Sequence, residues 1–156
     1  MGQQQLLLLV LGIVIVGIAV VAGIQAFSEG KAKAQQDAAV TDAMRIISDA
    51  QAWKLKPQAF GGGDNGDPVD FTGLNLKALG YPVATSASVY VTTNGCFDLS
   101  EGTTSSTLVL HQYNDEDITG QPGSADVAAC TGLEIATVTI DGTTSADISW
   151  AYATGV

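Results

Sequence analysis

The stretch LLLLVLGIVIVGIAVVAGIQAF, Leu6 to Phe27, decides how this chain is organised. It holds 22 residues and not one charge. Wound as an α-helix at about 1.5 Å per residue it extends roughly 33 Å, enough to cross the hydrocarbon core of a bilayer. A secretory signal has a shorter apolar region, about 7–15 residues, behind a positively charged segment. Here only Met1-Gly2-Gln3-Gln4-Gln5 precedes the run, and none of these side chains is charged. The length therefore favours a membrane span over a signal. Lys31 and Lys33 flank its C-terminal side, an awkward orientation for an exported C-terminal region unless a basic leader has been removed from the other side. Gly12, Gly17 and Gly23 are spaced five and six apart, so they form no single small-residue stripe. Each is a local weak point of about 1 kcal/mol against Ala.

Helical pattern continues past Phe27. Ala39, Ala43, Ile46, Ala50 and Trp53 step by four, three, four and three, with Val40, Met44 and Ile47 widening the stripe. Glu29, Lys33 and Asp37 line a polar face, and Asp42, Arg45 and Asp49 form a second ladder. Such pairs add only about 0.2–0.5 kcal/mol each and mark no site. Pro57 and the Gly61-Gly62-Gly63 run end the pattern. One helix from about Gln3 to about Lys56 would be roughly 80 Å long, far more than a globular domain needs.

The whole chain has 156 residues, with Lys+Arg 6 and Asp+Glu 16, a net charge of -10. Its mean hydropathy is +0.25. A chain this acidic repels phosphate backbones, which excludes a nucleic-acid partner. All the basic residues lie between Lys31 and Lys77. Beyond residue 78 there are nine acids and no Lys or Arg. The organisation expected is a hydrophobic transmembrane or filament-core helix over 1–27, its amphipathic continuation over 28–56, and a β-rich globular head over 57–156.

Within the head, Ser88–Thr92, Thr107–Tyr113, Leu133–Ile140 and Ala146–Tyr152 are rich in β-branched and aromatic residues and separated by turn formers. They predict roughly four antiparallel strands. Asp141-Gly142-Thr143-Thr144 predicts a tight hairpin between the last two. Leu74–Leu79 predicts a helical turn ended by Gly80. The fold class is α+β, a long N-terminal helix against an antiparallel sheet, with Ile46, Ile47, Trp53 and Trp150 in the helix–sheet core.

An extreme N-terminal apolar helix that continues into an amphipathic half and then meets such a sheet resembles a type IV pilin. The resemblance covers the chain in architecture, and its sequence basis lies in residues 1–56. It implies a structural subunit that is held in the cytoplasmic membrane, processed and exported by prepilin-processing and pilus assembly machinery, and then polymerised with copies of itself into a helical homopolymer. The implied location is the cell surface, in an extracellular filament of the kind used for adhesion. The apolar run would form the filament core, through Gln5, Leu6, Leu9, Ile13, Val14, Gly17, Ile18 and Val21. Two departures stand out. If the mature chain starts at Met1, the family's glutamate at the fifth position is Gln5, and if it starts at Gln3 that position is Leu7. The helix-breaking proline of many pilins is absent, leaving Gly12 or Gly17 to supply any local unwinding. The same architecture fits a pseudopilin of a type II secretion system. From another class, a membrane-anchored β domain that binds a ligand or sugar also fits.

Enzyme chemistry finds no foothold. There is no nucleophile elbow and no phosphate loop, and His111 is the only histidine. One histidine and two cysteines cannot build a structural zinc site of the Cys₄ or Cys₂His₂ type. No cofactor is expected. Cys96 and Cys130 read as a disulfide in an exported domain, worth about 3–4 kcal/mol in the chain-entropy model, or else as two buried thiols. Pilins similarly often close a C-terminal loop this way. Asp64, Asp67 and Asp70 offer oxygen atoms to Ca²⁺, as do Asp115-Glu116-Asp117, but neither spacing is that of an EF-hand, and Gly-Asp-Asn-Gly-Asp is also ordinary turn composition.

Overall fold

The structure, a computed structural model, describes residues 2–63, 65–67, 70–83, 88–100, 106–112, 130 and 134–153, the side chains of 108–112 excepted. One α-helix, α1, runs from Gly2 to Leu55 without interruption. Gly12, Gly17 and Gly23 do not break it. Five strands follow: β1 Val89–Val91, β2 Gly95–Ser100, β3 Ser106–Gln112, β4 Glu134–Ile140 and β5 Ile148–Tyr152. They form one antiparallel sheet in the order β1-β2-β3-β4-β5. The chain divides into two compact units, Met1–Ala34 and Gln35–Val156.

In the second unit, a helical stripe meets one face of the sheet. Ala39, Ala43, Ile46, Ile47 and Ala50 are buried, with Val40 and Trp53 packed beside them. Met44 is exposed, so the stripe widens toward Ile47 and not toward Met44. The facing residues are Phe97 and Leu99 of β2, Ala136, Val138 and Ile140 of β4, and the partly buried Tyr90, Ile148 and Trp150. Three alanines on the helix let it lie close, and the larger side chains of the sheet fill the space between. Ile135 joins Ala136 in this core although the two are sequence neighbours. The β3–β4 register shifts between Leu110 and His111, pairing Leu110 with Ala136 and His111 with Glu134. The bulge leaves Ile135 without a partner on β3, while its carbonyl accepts from Ala153 N at 3.0 Å, and turns its side chain to the core side.

The sheet has five strands, one more than the four expected. The added one, β2, is an interior strand: it pairs Tyr90 with Phe97 on one side and Leu110 with Phe97 on the other. The connection between β4 and β5 is also longer than a tight hairpin. Ile140 pairs with Ile148, and the intervening residues carry a 3₁₀ turn, Ser145–Asp147. Thr144 and Asp147 cap each other there, Thr144 N and Oγ1 donating to Asp147 Oδ2 at 2.9 and 2.6 Å. This local bonding supplants the Asp-Gly turn and takes Ala146 and Asp147 out of the strand.

Candidate membrane and assembly segment

Residues 2–31 are exposed along their whole length. The side chains of Leu6, Leu9, Ile13, Val14, Ile18 and Val21 are between 52% and 67% exposed. An 18-residue window of this helix has a mean hydropathy of 3.1 and no part of it is buried. A helix that is apolar on every face must be surrounded by apolar matter. Each large aliphatic side chain gains about 1.5–3 kcal/mol on full burial. Over the fifteen large apolar residues exposed from Leu6 to Phe27 the gain is on the order of 20 kcal/mol or more. No polar contact in this segment competes with that figure, Gln5 included. The helix is long and apolar enough to cross a membrane. Gly17, with no side chain, leaves a shallow notch lined by Ile18, Val21, Ala22 and Gln25, a shape that a neighbouring side chain can enter.

In the second unit, polar contacts hold the helical stripe to the sheet and loops. Gln51 Nε2 donates to the carbonyls of Gly142 and Thr144, at 3.2 and 2.9 Å. Asn94 Nδ2 donates to Asp42 Oδ2 at 3.1 Å. The Tyr81 hydroxyl donates to Asp49 Oδ2 at 2.5 Å. Ile46 and Ile47 are fully buried, while Trp53 and Trp150 pack at the edge of the core. The two indoles have different neighbours. Trp150 stacks on Tyr152, ring centres 6.0 Å apart. A Cβ built on Gly63 would meet the Trp53 ring at 2.2 Å, so the Trp53 ring lies against backbone that only glycine allows.

Cys96 and Cys130 form a disulfide with Cα atoms 5.8 Å apart. Cys96 points away from the helical stripe and packs with Val89 and Val91 on the other face of the sheet, where Cys130 joins them. β3 runs between the two cysteines, so the bridge closes a loop that contains a central strand.

The 61–72 segment is built around Lys54. This side chain is 3% exposed. Its Nζ donates to Gly63 O at 2.9 Å, Asn65 Oδ1 at 2.9 Å and Asp70 O at 2.6 Å, three acceptors for its three protons. The Asp70 carboxylate accepts from the Thr72 hydroxyl at 2.5 Å and the Thr72 N–H at 2.9 Å, and from the Asn65 amide. The Thr72 hydroxyl, then its backbone N–H, hold the Asp70 carboxyl below its ordinary value, with the Lys54 charge adding to the effect. Of the three calcium candidates, Asp64 lies outside the described residues. Asp67 N donates to Asn65 Oδ1 at 3.1 Å. The positive charge at this loop is the Lys54 side chain. Asp115-Glu116-Asp117 lies outside the described residues. Among the described residues no group of three or more His, Cys, Asp or Glu side chains converges. Lys54 was legible in one respect: the stripe step of four from Ala50 lands on it.

The chain matches no family model, no curated protein and no solved structure.

Proposed function

We propose that this chain is a structural subunit of a type IV pilus-like filament, with no enzymatic role. It is held in the cytoplasmic membrane through Leu6–Phe27 before assembly and bundled with copies of itself through the same segment afterwards. The observation that carries this reading is the uncharged, wholly exposed helical surface over 2–28, continuous in one helix with a stripe that is buried under a sheet. Lipid and a bundle of identical helices both satisfy such a surface, and the chain moves from one to the other without exposing it to water. The sheet and its disulfide then form the outer, solvated part of the fibre. Pilus assembly and prepilin-processing machinery are the further partners, and the cell surface is the final location. The test is electron microscopy of sheared cell-surface material with identification of its protein. Thin fibres made of this chain support the reading. The chain recovered only from membranes, as a detergent-extractable monomer, supports a membrane-anchored β domain instead. Fibres short enough to stay within the envelope point to a secretion pseudopilus.

A further inference from the structure

We propose that Lys54 and Asn65 join in a spontaneous intramolecular isopeptide bond, assisted by Asp70. Lys54 is almost wholly buried, and its Nζ lies 2.9 Å from Asn65 Oδ1. The amine therefore stands at the carboxamide whose carbon, Cγ, it attacks. Asp70 touches both nitrogens that exchange places. Its backbone oxygen is 2.6 Å from Lys54 Nζ, the nucleophile. Its carboxylate accepts from Asn65 Nδ2, the leaving nitrogen.

The reaction is an amide exchange. The Lys54 ammonium first gives one proton to solvent water, and the neutral Nζ then adds to Asn65 Cγ to give a tetrahedral centre. The proton shed by Nζ on bonding is relayed through water to the Asp70 carboxylate, which delivers it to its own hydrogen-bond partner, Nδ2. The Cγ–Nδ2 bond breaks and ammonia leaves. One C–N bond forms and one breaks, no electrons change hands, and no co-reactant is required.

The fold fixes the three groups before the reaction, which lowers its entropic cost. Lys54 is held by the last turn of α1. Asn65 Oδ1 also accepts from Asp67 N at 3.1 Å. Thr72 grips the Asp70 carboxylate through two hydrogen bonds. The product ties the end of the helix to the loop before Phe71, bridging a sequence separation of 11 that includes Pro57 and the 3₁₀ turn Gln58–Phe60.

A competing nucleophile is close at hand. The backbone nitrogen of Gly66 follows Asn65, and its attack on the same Cγ gives a succinimide. That product also loses ammonia but leaves Lys54 unattached. The experiment is the intact mass of the purified full chain, denatured and disulfide-reduced, followed by peptide mapping. The expected result is a mass lower than the sequence by one ammonia and a branched peptide joining Lys54 to Asn65. Both features should vanish in Lys54→Arg and Asn65→Ala. A wild-type mass with the ammonia retained overturns the proposal. Loss of ammonia without the branched peptide overturns it too, since that is the succinimide. The wild-type measurement decides the matter even if a variant fails to fold.

Discussion

The Tyr81 hydroxyl lies 2.5 Å from Asp49 Oδ2 and so ties the chain that leaves Gly80 to the middle of the helical stripe. The turn before it is closed by two backbone bonds, Gly80 N to Lys77 O at 3.0 Å and Tyr81 N to Leu76 O at 3.0 Å, around Gly80 at φ 87. That is a Schellman closure, with Tyr81 and Leu76 meeting in the core. The Tyr81 ring continues into the sheet, its centre 5.0 Å from that of Tyr90. One residue thus joins the turn, the helix and β1.

Tyr81→Phe should cost about 1 kcal/mol at neutral pH, the net worth of one hydrogen bond. Burial first, and the bond to Asp49 second, push the Tyr81 hydroxyl above its ordinary value of 10.0. A raised value favours the protonated fold, so this stability is complete below pH 10.0 and is lost as pH rises through the folded value. The gap between wild type and Tyr81→Phe should therefore narrow on the alkaline side. Urea midpoints measured across neutral and alkaline pH check this. A gap constant with pH would show that Tyr81 contributes packing alone.

Reducing the Cys96–Cys130 bridge should remove about 4 kcal/mol, given the sequence separation of 34 and the chain-entropy relation. The loss should appear as a lower melting temperature in reductant and in Cys96→Ala/Cys130→Ala. Unreduced, denatured protein should resist alkylation at both positions. Two alkylated thiols there would show that the bridge is absent.

Asp147 caps the turn before β5, and the hydroxyl of Thr144, then its backbone N–H, hold the carboxyl below the ordinary 3.8. The contribution is present above pH 3.8 and is lost as pH falls through the lower folded value. Asp147→Asn should lower stability at neutral pH and show a flatter decline in acid. Melting curves of the two proteins should converge below pH 3.8. Parallel curves would mean that the cap carries no stability.

The sequence was most informative where one period ran uninterrupted. The helix from residue 2 to 55 follows from an apolar run joined to a 3.6-residue stripe with no proline before Pro57. β2 was harder to see. Gly95-Cys96-Phe97-Asp98-Leu99-Ser100 follows Thr92-Thr93-Asn94, which with Gly95 reads as loop, yet Phe97 and Leu99 alternate with Cys96 and Asp98 as in a strand with one face on the core. The β4–β5 connection misled because the Thr144–Asp147 cap outweighs an Asp-Gly turn signal. Lys54 fell on the apolar stripe, and nothing local shows that a lysine there will find three oxygen acceptors from residues 63–70. That depends on the loop folding back, a long-range event that periodicity does not encode.

Gln5 tests how far polar registration matters to assembly. A buried amide without a partner costs about 1–3 kcal/mol, small beside the apolar burial available from Leu6 to Phe27. Gln5→Leu should reduce fibre yield and fibre melting temperature only modestly, and Gln5→Glu should be tolerated. Complete loss of fibres in Gln5→Leu would place subunit docking under the control of this single polar contact.

Val14 lies in the middle of the apolar run and is 52% exposed. A single acid there costs about 2.5–3.5 kcal/mol on membrane-insertion scales, and several more when buried without a partner in a bundle. The measurement that tests the central claim most directly is a count of surface fibres in cells producing Val14→Asp against cells producing wild type, at matched levels of folded, disulfide-bonded subunit. Assembly through the apolar helix predicts fibres with wild type and none with Val14→Asp, and the same for Ile18→Asp. Fibres of normal number and length from Val14→Asp would contradict it.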